Sequence, residues 1–173
     1  MLDGVVECLV KRNNTMGTYI ARFFMFLLDG ILLAASLFVL LFLPAFFILI
    51  CVFVGIGWFV TWLIIRYTRV EFEYSYFDEE LTVDKIYNKS KRKRIGRFSF
   101  AKLEYFAPAD SPRFNKNMMD KCFVVDCSAK DPDIKDYTFY IMDDGKKPTM
   151  LTISPNEEMM AMINKRFSRK MVE

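Results

Sequence analysis

Hydrophobic and polar positions change rhythm twice along this chain. Between Gly30 and Ile65 no residue is charged, and Leu, Ile, Val and Phe dominate. A single helix over that stretch would run about 54 Å at roughly 1.5 Å per residue, against a hydrocarbon core of about 30 Å. Pro44, near its middle, cannot donate a helical hydrogen bond. The pattern therefore predicts two membrane spans, residues 23–43 and 45–65, each about 31 Å long and joined by a tight turn at Leu43-Pro44-Ala45. The first apolar run exceeds the ~7–15 residues of a signal-peptide core and no small-x-small cleavage site closes it, so both spans are expected in the mature protein.

Before the spans, Leu2, Val5, Val6, Leu9 and Val10 recur at helical spacing, with Asp3, Glu7, Lys11 and Arg12 on the other side. This predicts an amphipathic helix within an N-terminal segment, residues 1–18, lying on the inner leaflet, packed on the soluble domain or frayed. After the spans the period falls to two. Val70, Phe72, Tyr74 and Tyr76 alternate with Glu71, Glu73 and Ser75, the pattern of a half-buried strand. Asp78-Glu79-Glu80 reads as a turn, and residues 81–88 as a second strand with a bulge near Lys85. Residues 89–94 read as a loop, and 95–100, 103–106, 122–127, 137–142 and 149–153 as five more strands, the last two joined through Asp143-Asp144-Gly145. Ser154-Pro155-Asn156-Glu157 reads as a capping box with proline at the first helical position. In the helix it opens, Met159, Met160, Ile163 and Phe167 form the apolar stripe, and Lys165, Arg166, Arg169 and Lys170 gather at the C-terminal end.

The 173 residues thus hold a two-helix transmembrane hairpin, residues 19–66, and one domain, residues 70–173. The net charge of +3 is too mild to indicate nucleic acid. The chain has no histidine, the usual general base and commonest metal ligand. Cys8, Cys51, Cys122 and Cys127 are scattered, a spacing that suits neither a zinc site nor a disulfide, and they are expected to be buried, reduced thiols. There is no glycine-rich phosphate loop, no nucleophile beside a base and no metal-spaced cluster. We expect no enzyme, no catalytic residue, no metal and no cofactor.

Lysine and arginine set the expected orientation. Lys11, Arg12 and Arg22 precede the first span, Arg66 and Arg69 follow the second, and the turn at Pro44 has none, which predicts a multi-pass protein of the cell membrane with both termini cytoplasmic. Tyr19, Trp58, Trp62 and Tyr67 would form the inner aromatic belt, so that Arg22, Trp58, Trp62, Arg66, Tyr67 and Arg69 are the interfacial anchors. Asp29 is the one acid among the apolar positions. Pairing the spans about Pro44 places it near Phe59, Trp58 and Trp62, sets Ala34 against Gly55, and leaves Gly30 making room for Trp58. It reads either as a proton or ion site or as a structural carboxylate held by the Trp58 N–H, by water or by Arg22.

Seven strands followed by one capped amphipathic helix, over residues 70–168, resemble the pleckstrin-homology (PH) superfold, and more narrowly the bacterial PH-like domains that follow paired membrane spans. The stretch Val5-Val6-Glu7-Cys8-Leu9-Val10-Lys11-Arg12, the hairpin and Tyr74-Ser75-Tyr76-Phe77-Asp78 also resemble a bacterial family of two-span proteins of unknown function. The resemblance implies an α+β chain: a transmembrane hairpin followed by a seven-stranded β-barrel or sandwich capped by a C-terminal helix. The tryptophan usual in the final helix of PH domains is absent here. The first hairpin loop, basic in phosphoinositide-binding members, is Asp78-Glu79-Glu80, so that site is not expected to operate.

The strongest surface feature is basic: Lys89, Lys91, Arg92, Lys93, Arg94 and Arg97. An antiparallel meander starting at the bilayer would return this loop to the membrane, together with loop 107–121, which carries Arg113, Phe114, Lys116 and Met118. It would leave the 128–136 loop, with Asp131, Asp133 and Asp136, on the far side. The readings that follow are a membrane-anchored module that binds a protein partner, at a sheet edge or beside the final helix, and a sensor or organiser of anionic lipid. A third is an oligomeric channel or transporter component that uses Asp29. The expected partners are membrane lipids and a protein, with homo-oligomers allowed and nucleic acid excluded.

Overall fold

The computed structural model describes residues 4–42, 44–114, 116–142 and 147–172. It divides into two compact units: Met1–Asn13 with Val70–Glu173, and Asn14–Arg69. The domain is therefore discontinuous in sequence, with the helical hairpin inserted into it.

The first strand is the main departure from expectation. Residues 6–11 are not a helix but β1 (Val6–Lys11), paired antiparallel with β2 (Val70–Phe77) in a register that runs from Val6↔Tyr76 to Lys11↔Glu71. The segment fits both periods, since Val6, Cys8 and Val10 alternate as well as they stripe. The β-branched valines favour the strand, and the edge of β2 supplies the hydrogen bonds. Val6, Cys8 and Val10 are buried, whereas Val5 and Leu9, assigned to the helical stripe, are exposed; Leu2 and Asp3 lie outside the described residues. Val6–Lys11 accordingly belong to the first sheet of the domain.

The inserted unit holds α1 (Met16–Phe42) and α2 (Phe47–Thr68), with a 3-10 turn over Pro44–Phe46; Leu43 lies outside the described residues. Their 27 and 22 residues are long and apolar enough to cross a membrane. Large side chains such as Phe23, Phe24, Ile48, Phe53 and Phe59 are exposed along both helices, as a lipid solvent would allow.

Among the described residues the strands number eight with β1 and form two open sheets, not a closed barrel. The first is fully antiparallel in the order β1-β2-β3-β4, with β3 at Glu80–Tyr87 and β4 at Lys91–Ser99. The second is built from β5 (Leu103–Pro108), β6 (Phe123–Asp126), β7 (Tyr137–Ile141) and β8 (Thr149–Ile153). Its order is β5-β7-β8-β6, with β6 and β8 parallel. A short helix, α3 (Lys116–Met119), lies between β5 and β6, and α4 (Glu157–Phe167) follows β8. The expected bulge appears as a register shift between Val83 and Asp84. The loop 143–145 between β7 and β8 is outside the described residues.

Phe72, Tyr74, Leu81, Val83, Phe100, Phe106, Phe139, Leu151 and Ile153 fill the core, and α4 closes it with Met159, Met160, Ile163 and Phe167, the stripe read from the sequence. The cap of α4 is displaced by two residues. Asn156, not Ser154, is the N-cap and accepts from Met159 N at 2.9 Å. Ser154 is buried instead, accepting from Ala129 N at 2.7 Å and donating to Asp136. Phe114, expected on a membrane-facing loop, packs into a small second cluster and stacks on Tyr105 at 6.0 Å.

Candidate functional site

β1 is an edge strand, and its register decides which peptide groups are free. Arg12 N donates to Val70 O at 3.0 Å, which continues the β1–β2 pairing by one residue. Hydrogen-bonded pairs alternate in an antiparallel ladder, so residues 6, 8, 10 and 12 bond β2 while the N–H and C=O of Glu7, Leu9 and Lys11 face away from it. Beside this edge lies an open cleft of about 900 Å³. Leu9 and Lys11 line one side. Ile134 and Tyr137 line another, and Pro155 and Met160, at the start of α4, line a third. Charges of both signs ring it: Lys11 and Lys135, and Asp131, Asp133 and Glu157.

The end of the cleft is pinned where the chain leaves for α1. Asn13 N donates to Ala129 O at 2.6 Å, and Arg12 pairs with Asp126 at 3.3 Å. Asp126 also accepts from Ser128 Oγ at 2.7 Å and pairs with Lys130 at 3.0 Å. Burial works to raise its carboxyl pKa, but the bonds from Ser128 and Lys130 outweigh it and hold the group below the usual carboxylate range. The bond to Ala129 ties the start of the 128–136 loop to the end of the β1 segment.

Behind the edge, Tyr74 OH donates to Cys127 O at 2.5 Å, and burial pushes the phenol well above its ordinary value. Burial likewise raises the Cys8 thiol and, reinforced by Asp126, pushes Cys127 up to about 12. Both are inert as nucleophiles near neutrality. The cysteines are free, as read, but only Cys8 and Cys127 are buried; Cys122 is half-buried and Cys51 is exposed on α2.

The opposite edge, β4, carries the basic run. Lys91, Arg92, Lys93, Arg94 and Arg97 belong to a strand and not to a loop, and only Lys89 sits in the turn. There Asn88 and Lys89 take positive φ, and Ser90 N donates to Tyr87 O at 3.1 Å. Acids on the adjacent β3 and on β2 beyond it accompany the extension. Arg92 reaches Glu73 at 2.7 Å, Arg94 reaches Asp84 at 3.2 Å, and Arg97 reaches Glu80 at 3.6 Å. Lys89, Lys91 and Lys93 are exposed and make no ion pair among the described residues. The acidic first turn also has a structural partner, since Arg166 of α4 pairs with Glu79 at 2.7 Å.

Within the hairpin, Asp29 faces α2 at Gly57: a Cβ there would sit 3.2 Å from Asp29 Oδ1 and 3.4 Å from Leu32 Cδ1. Gly57 is therefore the close-approach glycine. Gly30 and Gly55 have open space where a Cβ would go, so the expected Ala34–Gly55 and Gly30–Trp58 contacts are not what sets the packing. Arg22 does not hold Asp29. It donates to Thr68 Oγ1 at 2.5 Å, between the ends of the two helices. Trp58 and Trp62 do line a groove with Asp29, Thr61 and Phe26. Arg66 stacks on Trp62 at 5.1 Å; Tyr67 and Arg69, at the end of α2, are exposed.

The edge of β1 is hidden in the sequence by the competing helical spacing of Val5, Val6, Leu9 and Val10; the alternation of Val6, Cys8 and Val10 is the signal for it. No curated protein and no solved structure matches the chain. A discontinuous two-sheet domain closed by a C-terminal helix, with two apolar helices inserted after its first strand, agrees with the sequence comparison: residues 2–173 match the bacterial PH-like domain family DUF6106, and the chain belongs to it.

Proposed function

We propose that this chain is a membrane-anchored, non-enzymatic interaction module whose PH-like domain receives an extended segment of a protein partner along β1. The observation that carries the reading is the cleft beside an edge strand whose outward peptide groups, at Glu7, Leu9 and Lys11, are left for a further strand. A segment added there would gain main-chain hydrogen bonds from β1. It would lay alternate side chains on Leu9, Ile134 and Met160, with mixed charges at the rim setting direction. The basic residues that flank the helices favour a cytoplasmic domain with both termini inside.

Leu9→Pro provides the test. By register the Leu9 N–H is not used by β2, so proline there blocks an incoming strand without removing a ladder bond. Cross-linked co-purification of the full chain, read by mass spectrometry, should recover a partner that the Leu9→Pro protein loses while retaining its thermal transition. Equal recovery by both proteins would refute strand addition.

A second reading has its own observation. Lys89, Lys91 and Lys93 sit at the end of the first sheet where Val70 pairs with Tyr87, and only Arg69 separates Val70 from α2. One residue spans roughly 3.6 Å, so covalent connection alone favours contact of these lysines with anionic headgroups. Changing all three to Gln should raise protease access near residue 89 in anionic nanodiscs and leave it unaltered in neutral ones; unchanged access in both would remove the lipid reading.

A further inference from the structure

We propose that the groove between α1 and α2 is a binding site for an organic cation with an apolar body, of the protonated alkyl- or arylamine kind. This site is independent of β1 and its cleft. It encloses about 370 Å³, within the roughly 300–1,000 Å³ of small-ligand sites. Its walls are hydrocarbon and aromatic, from Phe26, Trp58 and Trp62, and two residues with polar side chains, Asp29 and Thr61, also line it. Thr61 is only 5% exposed, and its hydroxyl has no hydrogen-bond partner. Asp29 makes no hydrogen bond or ion pair among the described residues, and Gly57 admits its carboxylate against α2.

An unpartnered carboxylate and an unpartnered hydroxyl in an apolar groove ask for a donor that carries positive charge. The carboxylate supplies the counter-charge. The Thr61 oxygen accepts an ammonium N–H, and the indole faces attract the cation through their quadrupoles. A hard inorganic cation would find two oxygen-bearing side chains where it takes about six or more oxygens. A second copy of this chain would not satisfy the site either. From residue 23 to residue 65 Asp29 is the only charged side chain, so at that depth a second hairpin brings another carboxylate and no cation.

The chain reports on its own site, because its two tryptophans both line the groove. Full-length protein in detergent micelles is titrated with phenethylamine and, separately, with phenethyl alcohol, its neutral counterpart. The amine should change tryptophan emission saturably and the alcohol should not. Asp29→Asn should raise the Kd for the amine about tenfold or more, Asp29→Glu should stay closer to wild type, and Thr61→Val should fall between. Helicity by circular dichroism verifies each variant. If Asp29→Asn loses helicity, the amine-against-alcohol comparison on the unaltered chain and the Thr61→Val titration decide. An absent or non-saturable response, equal responses to amine and alcohol, or an unchanged Kd in a folded Asp29→Asn protein would each overturn the proposal. So would cross-linking that finds the groove filled by a second hairpin.

Discussion

The two edges of the first sheet solve one problem in opposite ways. A free strand edge invites pairing with another chain, and β4 is guarded against it by charge: five of its nine residues are Lys or Arg, and three of these are locked to Glu73, Asp84 and Glu80. β1 has no such guard. Its outward side chains are one acid, one leucine and one lysine; Leu9 is 61% exposed, and a cleft runs beside it. One sheet thus carries a charged, ion-paired edge and an edge without such a guard, and the second adjoins α4.

The largest effect separating the two should come from deletion. Without β1 the domain loses Val6, Cys8 and Val10 from its core, about 5 kcal/mol in sum, comparable with the whole stability of a small domain at about 5–15 kcal/mol. Residues 70–173 alone should therefore melt broadly or aggregate. Residues 4–13 joined through Asn-Gly directly to 70–172 should give a soluble protein with a cooperative calorimetric transition, because Arg12 and Val70 already face each other as hairpin partners. A cooperative, equally stable 70–173 fragment would show that β1 is dispensable.

Next in size is the guarded edge. Arg94→Ala strips its partner from Asp84, which is 8% exposed, and should cost about 1–3 kcal/mol in urea unfolding. Asp84→Asn combined with Arg94→Ala should recover part of that loss, since the uncompensated charge is then gone.

A smaller effect concerns pH at the junction. The Asp126 carboxyl is held below its unfolded value, so its contribution is fully present above about pH 4 and is lost as pH falls through the depressed folded value. Asp126→Asn should lower stability at neutral pH and shallow the acid limb, measured as Tm against pH. An acid limb identical to wild type would assign the loss to other carboxylates.

The smallest effects test the open edge and the free lysines. Leu9→Pro should change stability by about 1 kcal/mol or less, and Lys89, Lys91 and Lys93 changed together to Gln by about 0.5 kcal/mol or less. A loss of several kcal/mol in Leu9→Pro would mean that its N–H is used within the fold.

Patterns repeated over enough residues to outweigh competing periods were legible in the sequence. The uncharged run foretold two long apolar helices, and the stripe of Met159, Met160, Ile163 and Phe167 marked the buried face of α4 before any partner was known. The alternation after Val70 foretold β2, and a family resemblance followed from element order. Local composition misled where the deciding partner lay far along the chain. Six residues around Cys8 satisfy helix and strand alike, and the edge of β2, across the whole inserted hairpin, decides between them. A run of lysine and arginine looks like a solvated loop until Glu73, Asp84 and Glu80 are set beside it and make it a strand. The facing of Asp29 and Gly57 depends on how two helices rotate against each other, which the apolar pattern of either leaves nearly free. Burial periodicity is written within one element, and so the sequence by itself determined the two long apolar helices, β2 and the buried face of α4. Pairing register, edge exposure and charge partnership are properties of two elements at once, and only the tertiary structure decided them.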